Sequence, residues 1–209
     1  FLLSKNIKAI VIACNTASAI ALEESKKVFD IPIIGVIEPG AKAAIGATKN
    51  NRVGVIGTVG TINSEAYQKK IRRMHPSIEV MGVPCPLFVP IVEEGWADTD
   101  VAMITAEKYL LELKEHHIDT LVLGCTHYPI LRYTIKQVMG EDVTLVNPAY
   151  ETAKCTKDML KENWLLSDKI DGAKYEFYVS DDPEKFRRIG GNILGKEISS
   201  IQKINIEVI

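Results

Sequence analysis

Cysteines are few and scattered in this chain. The four among 209 residues, at positions 14, 85, 125 and 155, form no CxxC pair. Structural zinc sites usually draw on closely spaced ligands, so this spacing argues against one. A disulfide framework is out of place in a chain of this size and composition; reduced thiols in a cytoplasmic protein is the expectation. Charge of one sign is also lacking. Lys and Arg number 25 against 27 Asp and Glu, for a formal net charge of −2. That excludes a general electrostatic attraction to nucleic acid or acidic membranes. No apolar run approaches the roughly 20 residues of a membrane helix, and no signal peptide is visible. A dinucleotide loop is missing too. Glycines 54, 57 and 60 are spaced GxxGxxG rather than GxGxxG, and no acidic residue follows at the needed place.

What is present is an ordinary globular composition, 46% hydrophobic and 25% charged, long enough for one large domain or two small ones. Its organising stretch is Leu121-Val122-Leu123-Gly124-Cys125-Thr126-His127-Tyr128-Pro129. Three large apolar residues read as a buried parallel strand. Gly124 permits a close turn, and Pro129 suits the first turn of a following helix. Thiol, hydroxyl and imidazole thus fall outside the carboxyl end of a strand, where open α/β sheets bind ligands. The run Ile10-Val11-Ile12-Ala13-Cys14-Asn15-Thr16 echoes it, apolar strand into cysteine into small polar residues.

Strand and helix signals alternate almost throughout, which predicts an α/β protein with parallel sheets and crossover helices. Strands are expected at 8–13, 33–36, 52–56, 78–81, 120–123, 143–146, 174–179 and 204–208. Helices are expected at 16–29, 41–48, 63–74, 87–94, 101–116, 130–139, 151–163 and 183–193. Glu38-Pro39-Gly40 and Asn147-Pro148 read as hinges. They divide the chain into two similar α/β domains, 1–39 plus 148–209 and 40–147, with the site in the cleft between them. Each domain then contributes one of the two strand-end cysteines.

A thiol at a helix N-terminus has a lowered pKa, and only the thiolate acts as base or nucleophile. Asn15, Thr16, Thr126 and His127 add donors suited to a carboxylate. Thr58 and Thr61, after the 52–56 strand, are further candidate donors. Glu93 reads either as a solvated helix end or as a site residue. His75, His116 and His117 read as solvated, Cys85 as a turn residue and Cys155 as helix packing. Two opposed thiols with carboxylate donors between them suit removal of a proton beside a carboxylate and its return from the other face.

Four motifs carry a family resemblance: Ala13-Cys14-Asn15-Thr16-Ala17, Gly35-Val36-Ile37-Glu38-Pro39-Gly40, Gly54-Val55-Ile56-Gly57-Thr58 and Gly124-Cys125-Thr126-His127-Tyr128-Pro129. Across essentially the whole chain the sequence resembles the glutamate racemases. The resemblance implies cofactor-independent interconversion of L- and D-glutamate, the latter for peptidoglycan. It implies catalytic roles for Cys14 and Cys125, and substrate contacts at Asn15, Thr16, Thr58, Thr61, Thr126 and His127. Glu93 and His127 would assist the second cysteine. It also implies glutamate as the small-molecule partner, no metal, and a cytoplasmic protein that is often a homodimer. Aspartate or hydantoin racemases, and a non-catalytic carboxylate-binding protein, are the alternatives. Family members begin with an Asp-Ser-Gly strand and a Tyr-Gly motif, both absent here. The chain opens on Phe1 without an initiator methionine, so a preceding segment on the order of 60 residues, half a domain, is expected.

Overall fold

The structure, a computed structural model, describes residues 1–169 and 172–208. Its strands are β1 (Ile10–Ile12), β2 (Ile33–Gly35), β3 (Arg52–Gly57), β4 (Glu79–Pro84), β5 (Thr120–Gly124), β6 (Thr144–Val146), β7 (Phe177–Val179) and β8 (Ile201–Lys203). Its helices are α1 (Asn15–Val28), α2 (Ile37–Ala47), α3 (Val59–Asn63), α4 (Ala66–Met74), α5 (Phe88–Glu93), α6 (Asp100–Glu115), α7 (Arg132–Met139), α8 (Pro148–Glu162) and α9 (Pro183–Leu194). All strand pairs are parallel, in three sheets: β1-β2, β4-β3-β5-β6 and β7-β8. The fold class is α/β, parallel sheets flanked by helices, as the alternation of signals requires.

Contacts group the chain into two compact units, Lys8–Leu165 and a terminal unit of Phe1–Ile7 with Leu166–Ile209. In the terminal unit, α9 opens on Asp182, whose carboxylate accepts from the backbone of Glu184 and Lys185, with Pro183 in the first turn. The helix stops at Gly195, whose φ of 62° is left-handed and suits glycine. Its last strand is Ile201–Lys203 rather than 204–208, where residues 206–208 instead form a 3-10 turn. The apolar alternation at 204–208 was too short to tell strand from turn.

The four-stranded sheet is the centre of the larger unit. All five residues of β5 are buried, and its side chains alternate between two cores. Leu121 and Leu123 join Phe88, Leu110 and Ile135 on the face covered by α5, α6 and α7. Val122 joins Val53, Val55, Ile37, Tyr67 and Ile71 on the face covered by α2 and α4. Helix α4 shows why it lies there: Tyr67 and Ile71, one turn apart, are buried while Lys69, Arg72 and Arg73 face water. From β3 the chain leaves over the α4 face to β4; from β5 it leaves over the α7 face to β6. The crossing directions therefore separate between β3 and β5, which creates a crevice at their carboxyl ends.

The residues of both expected hinges stand at helix starts. Glu38, Pro39 and Gly40 lie in the first turn of α2, where proline's missing N–H has no partner to lose. Asn147 caps α8 by accepting from the Ala149 backbone at 3.1 Å, with Pro148 in the first turn. The expected helix at 63–74 narrows to α4, with Asn63 the last residue of α3. Glu65, at φ 54°, breaks the run between α3 and α4. Residues 128–131 form a 3-10 turn before α7 begins. Sheet membership changes at both helix starts, β1-β2 before the first and the four-stranded sheet between them, although residues 8–165 pack as one unit.

Candidate active site

The site lies where β3 and β5 end. Gly57 and Gly124 are register partners there, and their lack of side chains sets how closely the two strand ends approach. A Cβ on Gly124 would stand 2.6 Å from the Ile56 carbonyl oxygen, and one on Gly57 would stand 3.1 Å from Thr61. The next residues, Thr58 and Cys125, therefore leave adjacent strands side by side.

Thr58 caps α3, its hydroxyl accepting from the Thr61 backbone at 3.3 Å. Its oxygen is 2.8 Å from that of Thr16 and 3.2 Å from that of Thr61, while Thr16 and Thr61 are 3.0 Å apart. Three hydroxyls thus tie the start of α1 to the end of β3. Each can donate or accept, so the trio can reorient toward an anion.

Cys14 is the N-cap of α1. Its sulfur accepts from the Ala17 backbone at 3.5 Å, at the positive end of a helix of 14 residues, and is exposed. Asn15, the first helical residue, is buried, and its Oδ1 accepts from the Tyr67 hydroxyl at 2.7 Å.

Cys125 follows β5 and is 7% exposed. Burial raises its pKa foremost, since a thiolate is penalised away from water, and the nearby Cys14 charge raises it further. The His127 and Tyr128 backbone N–H groups and the Thr126 hydroxyl oppose that by hydrogen bonding. The Sγ is 3.8 Å from His127 Nδ1, which also lies 3.3 Å from the Thr126 hydroxyl. The other ring nitrogen, Nε2, is 3.4 Å from Glu93 Oε1 at the end of α5. Glu93, an ambiguous helix end in the sequence, is therefore joined to Cys125 through one imidazole.

All nine sequence-selected residues thus fall into two adjoining groups: Cys14, Asn15, Thr16, Thr58 and Thr61, and Cys125, Thr126, His127 and Glu93. The Thr16–Thr58 contact and the pairing of Gly57 with Gly124, just before Thr58 and Cys125, join them. His75, His116 and His117 are exposed near helix ends, outside both groups. Cys155 is half-buried in α8. Cys85 differs from its expected role as a plain turn residue. It is fully buried, its N–H bonds to Gly57, and its carbonyl accepts from Tyr128 Oη at 2.8 Å. Tyr67 had no signal in the sequence, since a tyrosine one turn from an isoleucine on an amphipathic helix reads as core. Among the described residues no group of three or more His, Cys, Asp or Glu could hold a metal ion, and no helix is long and apolar enough to cross a membrane.

Comparison with known proteins gives a consistent result. Residues 2–156 match the profile of the Asp/Glu/Hydantoin racemases. A glutamate racemase of Geobacter metallireducens is 48% identical over 207 residues, spanning 99% of this chain and 77% of the relative. The crystal structure of glutamate racemase isoform RacE1 from Bacillus anthracis superposes with a TM-score of 0.93 at 39% identity, covering 98% of this chain and 77% of that one. The glutamate racemase of Francisella tularensis, solved in complex with D-glutamate, gives a TM-score of 0.92 at 38% identity, covering 100% of this chain and 78% of that one.

Proposed function

This chain belongs to the Asp/Glu/Hydantoin racemase family and is a racemase, and we propose that it interconverts L- and D-glutamate by proton transfer between Cys14 and Cys125. The observation that carries the reading is the pair of strand-end cysteines, Cys14 at the N-cap of α1 and Cys125 beside an imidazole paired with Glu93. Beside Cys14, the hydroxyls of Thr16, Thr58 and Thr61 cluster and the Asn15 amide is held by Tyr67, which supports a carboxylate site there. Relatives that are glutamate racemases, one of them holding D-glutamate, support the choice of substrate.

In this mechanism one thiolate takes the α-proton and the bond pair stays on the α-carbon, delocalised toward the carboxylate. The hydroxyls and amides hold that carboxylate as its charge grows. The opposite thiol then delivers its proton to the other face, and configuration inverts. The sulfurs exchange protonation states in each turnover, and solvent resets them. His127, poised between Cys125 and Glu93, eases loss and gain of the Cys125 proton. No cofactor is required. The product D-glutamate would serve peptidoglycan, in the cytoplasm, and the enzyme would work as a homodimer. The two-domain division at residues 38–40 and 147–148 belongs to the same proposal, with one cysteine supplied by each side.

The test is Cys14→Ser and Cys125→Ser in the full-length protein. A hydroxyl is a far weaker acid than a thiol, so each variant loses racemisation in both directions, by at least about 10²-fold. Each keeps α-proton exchange in deuterated water for the one enantiomer whose hydrogen faces the surviving thiolate. Wild-type racemisation in both variants would make these cysteines packing residues. A carboxylate-binding protein would keep its ligand and never racemise it.

A further inference from the structure

The residue beside the first cysteine is held by a phenol that the chemistry above leaves unused. Tyr67 is 1% exposed, and its hydroxyl reaches from α4 to Asn15 Oδ1 at 2.7 Å. Burial pushes its pKa far above the usual value, so it remains a donor at every pH where the protein works. An amide oxygen facing such a donor is occupied. Among the described residues the Asn15 side chain makes no other hydrogen bond, yet no fully buried side-chain nitrogen or oxygen lacks a partner. Its Nδ2 therefore opens to space that solvent can reach. An asparagine without such an anchor could present either edge of its amide.

A second observation shows that the fold keeps this contact clear. A Cβ on Gly40 would stand 2.9 Å from the Tyr67 oxygen and 3.1 Å from the Pro148 ring. Glycine in the first turn of α2 and proline in the first turn of α8 thus frame the phenol's path. The Pro/Gly punctuation that resembled two hinges in the sequence converges on one hydroxyl.

We propose that Tyr67 is a positioning residue. Its hydroxyl fixes the Asn15 amide so that both Nδ2 hydrogens face the substrate carboxylate beside Cys14. This rests on the glutamate reading and deepens it. Tyr67 touches no reacting atom; it acts through Asn15.

The experiment is Tyr67→Phe in the full-length protein, with steady-state kinetics for each enantiomer. Loss of the hydroxyl frees the amide to turn, so KM for glutamate rises roughly tenfold, the worth of one good hydrogen bond. The value of kcat stays within about threefold, because the thiols are untouched. In an Asn15→Ala background, Tyr67→Phe changes KM no further, since the group it positions is gone. A phenol that only packs would shift the thermal midpoint and leave KM alone, or act equally in both backgrounds; either result overturns the role. Gly40→Ala displaces the phenol without deleting it and raises KM in the same way. It carries the test if Tyr67→Phe does not fold, and an unchanged KM there also overturns the role. An unmutated protein without glutamate racemisation overturns the functional reading and this role with it. An active protein indifferent to Tyr67→Phe overturns this role alone.

Discussion

His127 Nε2 lies 3.4 Å from Glu93 Oε1, and the two side chains are only 25% and 27% exposed. That contact holds the ring with Nδ1 toward Cys125 Sγ, 3.8 Å away. In the proposed mechanism, the order Glu93, His127, Cys125 would give a buried thiol a path for its proton that the thiol alone lacks.

Glu93→Gln keeps the shape of that contact and removes its charge. A group acting through another contributes less than a direct acid or base, so the expected loss in kcat/KM is on the order of 10–100-fold. The loss must be equal for L- and D-glutamate, because enantiomers have equal free energy and the ratio of their kcat/KM values is fixed at unity. The asymmetry appears in the isotope effect instead. With the Cys125 step slowed, the deuterium effect grows for the enantiomer whose proton that thiolate removes. Steady-state kinetics with α-deuterated substrates checks both, and an unchanged kcat/KM would remove Glu93 from the site.

Gly124→Ala tests the strand-end geometry. Its Cβ would meet the Ile56 carbonyl oxygen at 2.6 Å, and backbone cannot step aside as a flexible side chain can. Relief requires β3 and β5 to part where Cys125 is held. Overpacking of this kind costs about 1–3 kcal/mol, so a lowered denaturation midpoint with loss of activity is expected. A variant with unchanged midpoint and activity would show that the close approach of the strand ends is dispensable.

Thiol reactivity should separate the four cysteines. Cys14 is exposed, Cys155 half-buried, and Cys125 and Cys85 are buried. Burial also pushes the Cys85 pKa far up, so it offers almost no thiolate. Alkylation with iodoacetamide at neutral pH, followed by peptide mass spectrometry, should label Cys14 first and Cys85 only on unfolding. Early labelling of Cys85 would contradict its place in the core.

Much of this site was readable in sequence because local chemistry states it. An apolar run ending in Gly124-Cys125-Thr126-His127 can only place those side chains at a strand end, and Cys14 is placed the same way. Contacts made across long stretches of chain were not readable. The Asp119 carboxylate binds Thr48 Oγ1 and the Lys49 backbone at 2.6 Å and the Asn50 backbone at 2.7 Å. Nothing near Asp119 in sequence announces that clamp. Tyr67 on Asn15 is the same case, 52 residues apart. Glu38-Pro39-Gly40 did not announce a helix start, because proline and glycine mark both loops and first helical turns; the buried Ile37 and Ala41 hold α2 there.

The Cys125 titration offers the strictest test that the two sulfurs face one another. Burial is the first cause of its raised pKa, and the Cys14 charge adds to the rise. A raised pKa means that the folded protein holds the Cys125 proton more tightly than the unfolded chain does. Its contribution to stability is therefore present below the ordinary thiol range and is lost as pH rises through the raised value. In the proposed mechanism, this raised pKa would make Cys125 the thiol of the pair at neutral pH. Racemisation needs one thiolate and one thiol, so activity should fall on the alkaline side as Cys125 loses its proton, at a pH above the ordinary thiol range. Cys14→Ala removes the neighbouring charge and leaves the burial. The Cys125 pKa should then move down while staying above the ordinary value. Thiolate absorbance, followed against pH in a Cys85→Ala, Cys155→Ala background, isolates that one group. A Cys125 titration that Cys14→Ala leaves in place would mean that the sulfurs do not sense each other, and the two-thiol mechanism would lose its geometry.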